Sequence, residues 1–124
     1  MKPINPAMRR LFAIFGCLAL VGSIFIGGEQ PAAGHLFPPL WDKAAHLAAY
    51  GAMGVLAALA FPAQSLLTIL LVVGGIGGAD EIHQMFIPGR QAGLGDLLAD
   101  LGGGLIILPA ITRLRCFYYH TSDS

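Results

Sequence analysis

Residues 65–84 read SLLTILLVVGGIGGADEIHQ, and this stretch decides the fold. Its first part, Ser65–Ala79, carries no charged side chain, and its end, Asp80–Gln84, carries Asp80, Glu81, His83 and Gln84. An apolar run with ionisable groups gathered at one end reads as a membrane-crossing helix whose polar end lies near the interface. Three more apolar stretches flank it. Leu11–Gly27 follows Lys2, Arg9 and Arg10; Ala44–Phe61 stops at Pro62; Leu97–Ile111 is interrupted only near its start, by Asp100. Each apolar stretch is somewhat short of the ~20 residues of a full span. Amphipathic ends must complete the crossings, giving spans of about 11–27, 44–61, 65–84 and 96–111. The expected fold is all-α: a polytopic membrane protein with about four transmembrane helices in a small bundle, one domain over residues 1–124.

Composition supports this. Of 124 residues, 56% are hydrophobic and 11% are charged, against about 25% charged in soluble domains. A soluble domain this small could not hide so much apolar surface, so lipid must solvate much of it. The formal net charge is zero, which leaves no electrostatic footprint for nucleic acid. Cys17 and Cys116 lie far apart and read as unpaired thiols. No internal repeat or long linker is evident.

The first stretch also has the basic start and apolar centre of a secretory signal peptide. No convincing small-x-small site follows, so it reads as a retained span. Basic residues set the orientation. Lys2, Arg9 and Arg10 precede the first span, and Arg113 and Arg115 follow the last. Positive residues stay in the cytoplasm, so both termini are expected there, in an inner membrane with an even number of spans. The loop around Pro62–Gln64 is then cytoplasmic, and Gly28–Asp42 and Pro88–Gly95 are external. Phe117, Tyr118 and Tyr119 read as a cytoplasmic aromatic belt, and Trp41 suits the opposite interface. Gly74 and Gly78 form a small-xxx-small pair suited to close helix contact, including contact between copies of the chain; Gly95, Ala99 and Gly103 form another series.

Five of the seven acids fall on the external side: Asp42, Asp80, Glu81, Asp96 and Asp100. Lys43, His46 and Tyr50 recur at i, i+3 and i+7, one helical face. Asp80, His83 and Gln84 share a face, with Glu81 offset from it but spaced to pair with Gln84. Asp96 and Asp100 are at i, i+4, with Gly103 continuing the stripe. A charge near hydrocarbon costs roughly 2.5–3.5 kcal/mol on insertion scales, so it faces the bundle interior and finds a partner. Three stripes pointing at one another make a shallow polar pocket open to the outside. Plainer readings stand beside it. Asp42 caps the second helix, Lys43 snorkels or pairs with Asp96 or Asp100, Pro88–Gly89 is a turn, and Arg90 is an interface anchor.

D-K-x-x-H-x-x-x-Y at Asp42–Tyr50, D-E-x-H-Q-x-F-x-P-G-R at Asp80–Arg90 and D-x-x-x-D-x-x-G at Asp96–Gly103 resemble the VanZ-like family of small bacterial membrane proteins. The resemblance covers about residues 42–104. It implies that Asp42, Lys43, His46, Tyr50, Glu81, Gln84, Phe86, Pro88, Arg90, Asp96 and Asp100 matter. The family's founding member is linked to teicoplanin resistance, a trait that membership does not confer by itself.

Three function classes follow. The leading one is an envelope protein that binds or modulates an anionic lipid headgroup or a lipid-linked precursor. Its binding set is Asp42, Lys43, His46, Tyr50, Asp80, Glu81, Gln84, Arg90, Asp96 and Asp100, with Lys43 and Arg90 on the anion. The second is a membrane-embedded hydrolase of a lipid phosphate, with His46, Glu81, His83 and Asp100 as candidate catalytic groups. A divalent metal on His46, His83 and Glu81 is a variant of it, although no compact metal signature occurs and no hydroxyl or thiol nucleophile sits in the cluster. No cofactor is required by the sequence. The third is a structural subunit or oligomeric transporter. A proton relay would need ionisable groups through the whole thickness, and Val55–Phe61 and Leu66–Val73 have none.

Overall fold

The computed structural model describes residues 5–30, 38–90 and 92–122, with no side-chain description at 39 and 117–122. Lys2, Asp123 and the aromatic side chains of 117–119 therefore lie outside the described residues. Four helices follow one another: α1 (Pro6–Gly28), α2 (Pro39–Ala60), α3 (Leu66–Gln84) and α4 (Leu94–Ser122). All four are long and apolar enough to cross a membrane.

The helices begin where local chemistry allows. Pro6 occupies the first turn of α1, where its missing N–H costs nothing, and the Asn5 side chain accepts from the Ala7 N–H at 2.9 Å. Ser65 caps α3, its Oγ accepting from the Thr68 N–H at 3.0 Å. α2 starts at Pro39 after Pro38, with no side-chain cap. Asp42 is thus not the cap; it stands in the first turn, where a carboxylate still suits the positive end of the helix dipole.

Each helix reaches beyond its apolar stretch. α1 takes in Arg9 and Arg10, and α4 runs on past Ile111 to Ser122. α4 also passes through Pro109, whose ring removes the N–H that the Leu105 carbonyl would otherwise receive. The turn after α3 carries Pro88 and Gly89, and Gly89 has φ +84°, a conformation glycine adopts without steric cost.

α2 and α4 form the central contact, with α1 resting mainly on α2 and α3 on α4. Two glycines permit this. A Cβ on Gly103 would strike the Leu47 carbonyl oxygen and stand 3.0 Å from the Gly51 nitrogen; a Cβ on Gly51 would stand 3.3 Å from the Gly103 oxygen. Backbone therefore meets backbone, as in close-packed membrane helices. Gly74 lies under Leu101 of α4, whereas Gly78 faces open space. The Tyr50 ring adjoins this crossing and joins a core of Met53, Ala58, Ile69, Val73 and Ile111.

The outside is apolar as well. Phe12, Phe15, Leu18, Leu67, Leu71, Leu105 and Ile106 are all more than half exposed. In water that surface would drive association; in a bilayer it is the ordinary solvent face. Trp41 is exposed in the first turn of α2. Cys17 and Cys116 are both free thiols.

Candidate functional site

α2 and α4 face each other with matched polar periods, and the match produces rungs. Lys43 Nζ donates to Asp96 Oδ1 at 2.9 Å. One turn deeper, His46 Nδ1 shares a hydrogen bond with Asp100 Oδ1, also at 2.9 Å. Deeper still, the Tyr50 hydroxyl crosses to α3 and donates to Asp80 Oδ2 at 3.3 Å. Gln84 Nε2 donates to the same oxygen at 3.0 Å, across one turn of α3. The i, i+3, i+7 spacing on α2 thus meets the i, i+4 spacing on α4.

The acids are withdrawn from solvent. Asp100 is 0% and Asp80 1% exposed, and Glu81 and Asp96 are buried too. Lys43 is the solvent-facing member, with its side chain about half exposed (49%). Asp42 stands beside it, partly buried. His46 and Tyr50 have near-parallel rings 6.2 Å apart.

Glu81 departs from the expected arrangement. It does not pair with Gln84. Its Oε2 accepts from the Gly93 N–H at 2.8 Å, fastening the α3–α4 connection to the site. It also converges with His46 and Asp100: one donor atom from each lies within 4.8 Å of the others. Among the described residues, these three form a group that could hold a metal ion.

His83 departs in the other direction. It turns toward α1, where its ring lies 5.4 Å from that of Phe25 and its Nε2 3.6 Å from Glu29 Oε1. The candidate metal set His46, His83 and Glu81 is therefore not brought together; Asp100 stands where His83 was expected. Arg90 sits in the turn beyond α3, with its Nη2 4.0 Å from the Cβ position of Gly28 at the end of α1 and its Nε buried without a partner among the described residues. Phe86 is 80% exposed in that same turn.

One contributor was not singled out by the sequence reading. Gly77 packs on Asp100; a Cβ there would stand 2.9 Å from Asp100 Oδ2. Gly77 is three residues before Asp80 and four before Glu81, so extending the α3 stripe backwards finds it.

Donors run short in this cluster. Asp80 Oδ1, Glu81 Oε1 and Asp100 Oδ2 are buried with no hydrogen-bond partner among the described residues. Buried carboxylate oxygens normally have partners, and leaving one unmet costs about 1–3 kcal/mol or more. Spare acceptors on two helices, α3 and α4, with a lysine at the mouth, can receive a polar or cationic group.

The chain matches the VanZ/LLP1 family over residues 9–115, a range that spans nearly all of α1 through most of α4. This chain belongs to the VanZ/LLP1 family. The match includes all three motif blocks and extends beyond them to the first helix and to the basic end of α4. No curated protein and no solved structure matches the chain significantly. In this VanZ/LLP1 chain the candidate site is the Lys43–Asp96, His46–Asp100 and Tyr50–Asp80–Gln84 ladder with Glu81 at its side.

Proposed function

We propose that this VanZ/LLP1 protein binds a lipid phosphate, on an anionic headgroup or a lipid-linked envelope precursor, at the polar end of the bundle. The observation carrying the reading is the half-exposed Lys43 ammonium at the mouth of a buried polar ladder. Asp96 fixes the ammonium without enclosing it. Arg90 adds a guanidinium at the same end of the bundle, with the planar fork that suits phosphate. The apolar outer faces bring the lipid's chains alongside the helices.

Orientation is part of the proposal. Arg9, Arg10 and Arg115 line one cavity between α1, α2 and α4, of about 920 Å³, together with Pro62 of the α2–α3 turn. The positive-inside rule places that end in the cytoplasm and the polar ladder on the external side.

The test is binding of an isoprenoid phosphate and of the neutral isoprenol of equal length, followed by native mass spectrometry. The phosphate should be retained selectively. Lys43→Ala and Arg90→Ala should each weaken retention about ten-fold, or about 1.4 kcal/mol. Equal retention of phosphate and alcohol would sink the reading.

One observation favours a second reading. His46 is held at 2.9 Å by an aspartate of 0% exposure, the way a catalytic imidazole is oriented to act as base or nucleophile. A lipid phosphate hydrolase would release inorganic phosphate from the same isoprenoid phosphate, and His46→Ala would abolish release. Intact ligand after prolonged incubation with wild-type protein excludes that activity on this substrate.

A further inference from the structure

We propose that His46, Glu81 and Asp100 form a divalent-cation site between α2, α3 and α4. One donor atom from each residue lies within 4.8 Å of the others. Donors on a single ion at roughly 2.1 Å stand roughly 3–4 Å apart. His46 Nδ1 and Asp100 Oδ1, now hydrogen-bonded at 2.9 Å, would exchange the proton between them for the ion and move slightly apart. Glu81 stands within 4.8 Å of both, and its Oε2 is anchored by the Gly93 N–H.

Acidic clusters alone do not make a metal site; the unmet oxygens here point to one. Asp100 is 0% and Glu81 8% exposed, yet Asp100 Oδ2 and Glu81 Oε1 have no hydrogen-bond partner among the described residues. Three side-chain donors of the cluster are already engaged elsewhere. Lys43 is on Asp96, and both Tyr50 and Gln84 are on Asp80. A cation supplies what these donors do not, because paired or metal-bound carboxylates are the ones that tolerate burial. Two carboxylates with one imidazole favour Mn²⁺ or Zn²⁺ over Mg²⁺ and Ca²⁺, which prefer all-oxygen shells. His83, although its Nδ1 is also unpartnered, points at α1 and takes no part.

The ion also resolves a mismatch of charge. A lipid phosphate approaching Asp80, Glu81, Asp96 and Asp100 meets like charge, and a divalent ion held by His46, Glu81 and Asp100 converts that floor into a phosphate acceptor. This bridging role rests on the lipid-phosphate reading above; the ion site itself does not.

The experiment uses full-length, tag-free protein in detergent, stripped with chelator and re-equilibrated with Mn²⁺ or Zn²⁺. Elemental analysis should find about one equivalent of metal per chain. Glu81→Gln, which preserves shape, and His46→Gln should each lose most of it, and His83→Ala should keep it. Bound Mn²⁺ should show nitrogen coupling from an imidazole in electron spin-echo spectra, absent in His46→Gln. Less than about a tenth of an equivalent in wild type, or equal loading of wild type and Glu81→Gln, overturns the site. Isoprenoid phosphate binding is then measured with and without metal. Loaded metal with metal-independent lipid binding keeps the site and overturns the bridging. Lipid binding by a protein that takes up no metal overturns the site and leaves the lipid-phosphate reading standing.

Discussion

At the scale of single residues, the bundle depends on what is missing from glycine. Gly103 abuts the Leu47 carbonyl and Gly51 backbone, neither of which can swing aside as a side-chain tip would. Gly103→Ala should therefore destabilise the α2–α4 contact by about 1–3 kcal/mol, the usual cost of overpacking. Gly102 is the control, since nothing lies within 4 Å of its Cβ position. Gly102→Ala should be neutral or slightly stabilising, because alanine is the better helix former. Thermal unfolding in one detergent compares the pair, and equal melting temperatures would refute the close-contact argument. Tyr50 illustrates the polar counterpart. Its hydroxyl and Gln84 Nε2 both donate to Asp80 Oδ2. Tyr50→Phe leaves the ring in the core and removes one of them, so a loss of about 1 kcal/mol is expected from the same melts. An unchanged melting temperature would show that the 3.3 Å contact contributes little.

At the scale of helices, the α2 and α4 stripes were readable because each lies on one side of its helix and has one partner. Residues 43, 46 and 50 face residues 96 and 100, and helical period alone predicts that. Residues 80–84 were harder. Asp80, Glu81, His83 and Gln84 wrap around α3, and each step along a helix turns the side chain by about 100°. Which sector meets α2 and α4 and which meets α1 depends on the packing of three neighbours, not on spacing. This is why Glu81 joins His46 and Asp100 while His83 leaves for Phe25 and Glu29. The helices run past their apolar stretches for a related reason. Apolarity marks where lipid begins, whereas backbone hydrogen bonding continues into polar residues, as at Arg9 in α1 and Thr112 in α4. Ser65 is the exception, because its cap chemistry is local and legible. Ser65→Ala should cost about 1 kcal/mol, and Ser65→Asp should recover it by supplying another acceptor. The melting temperatures of the two variants decide this, and identical values would show the cap to be replaceable by solvent at this exposed position.

At the scale of the whole molecule, charge is divided between the two ends. The buried acids and Lys43 occupy one, at the start of α2 and α4 and the end of α3. Arg9, Arg10 and Arg115 occupy the other, at the start of α1 and toward the end of α4. The middle is apolar inside and out. Such a division has a sign relative to the membrane potential and the translocation machinery, because lysine and arginine near span ends resist export. The proposed orientation therefore makes an exchangeable prediction at two exposed positions. Cys116 lies beside Arg115 and is exposed; Gln30, just after α1, is exposed at the opposite end. In right-side-out membrane vesicles a membrane-impermeant maleimide should leave Cys116 unlabelled. It should label Gln30→Cys in a Cys116→Ser background. Inside-out vesicles should reverse both results. Labelling of Cys116 in right-side-out vesicles would invert the molecule. The polar ladder would then open toward the cytoplasm, and its lipid phosphate would have to come from the inner leaflet.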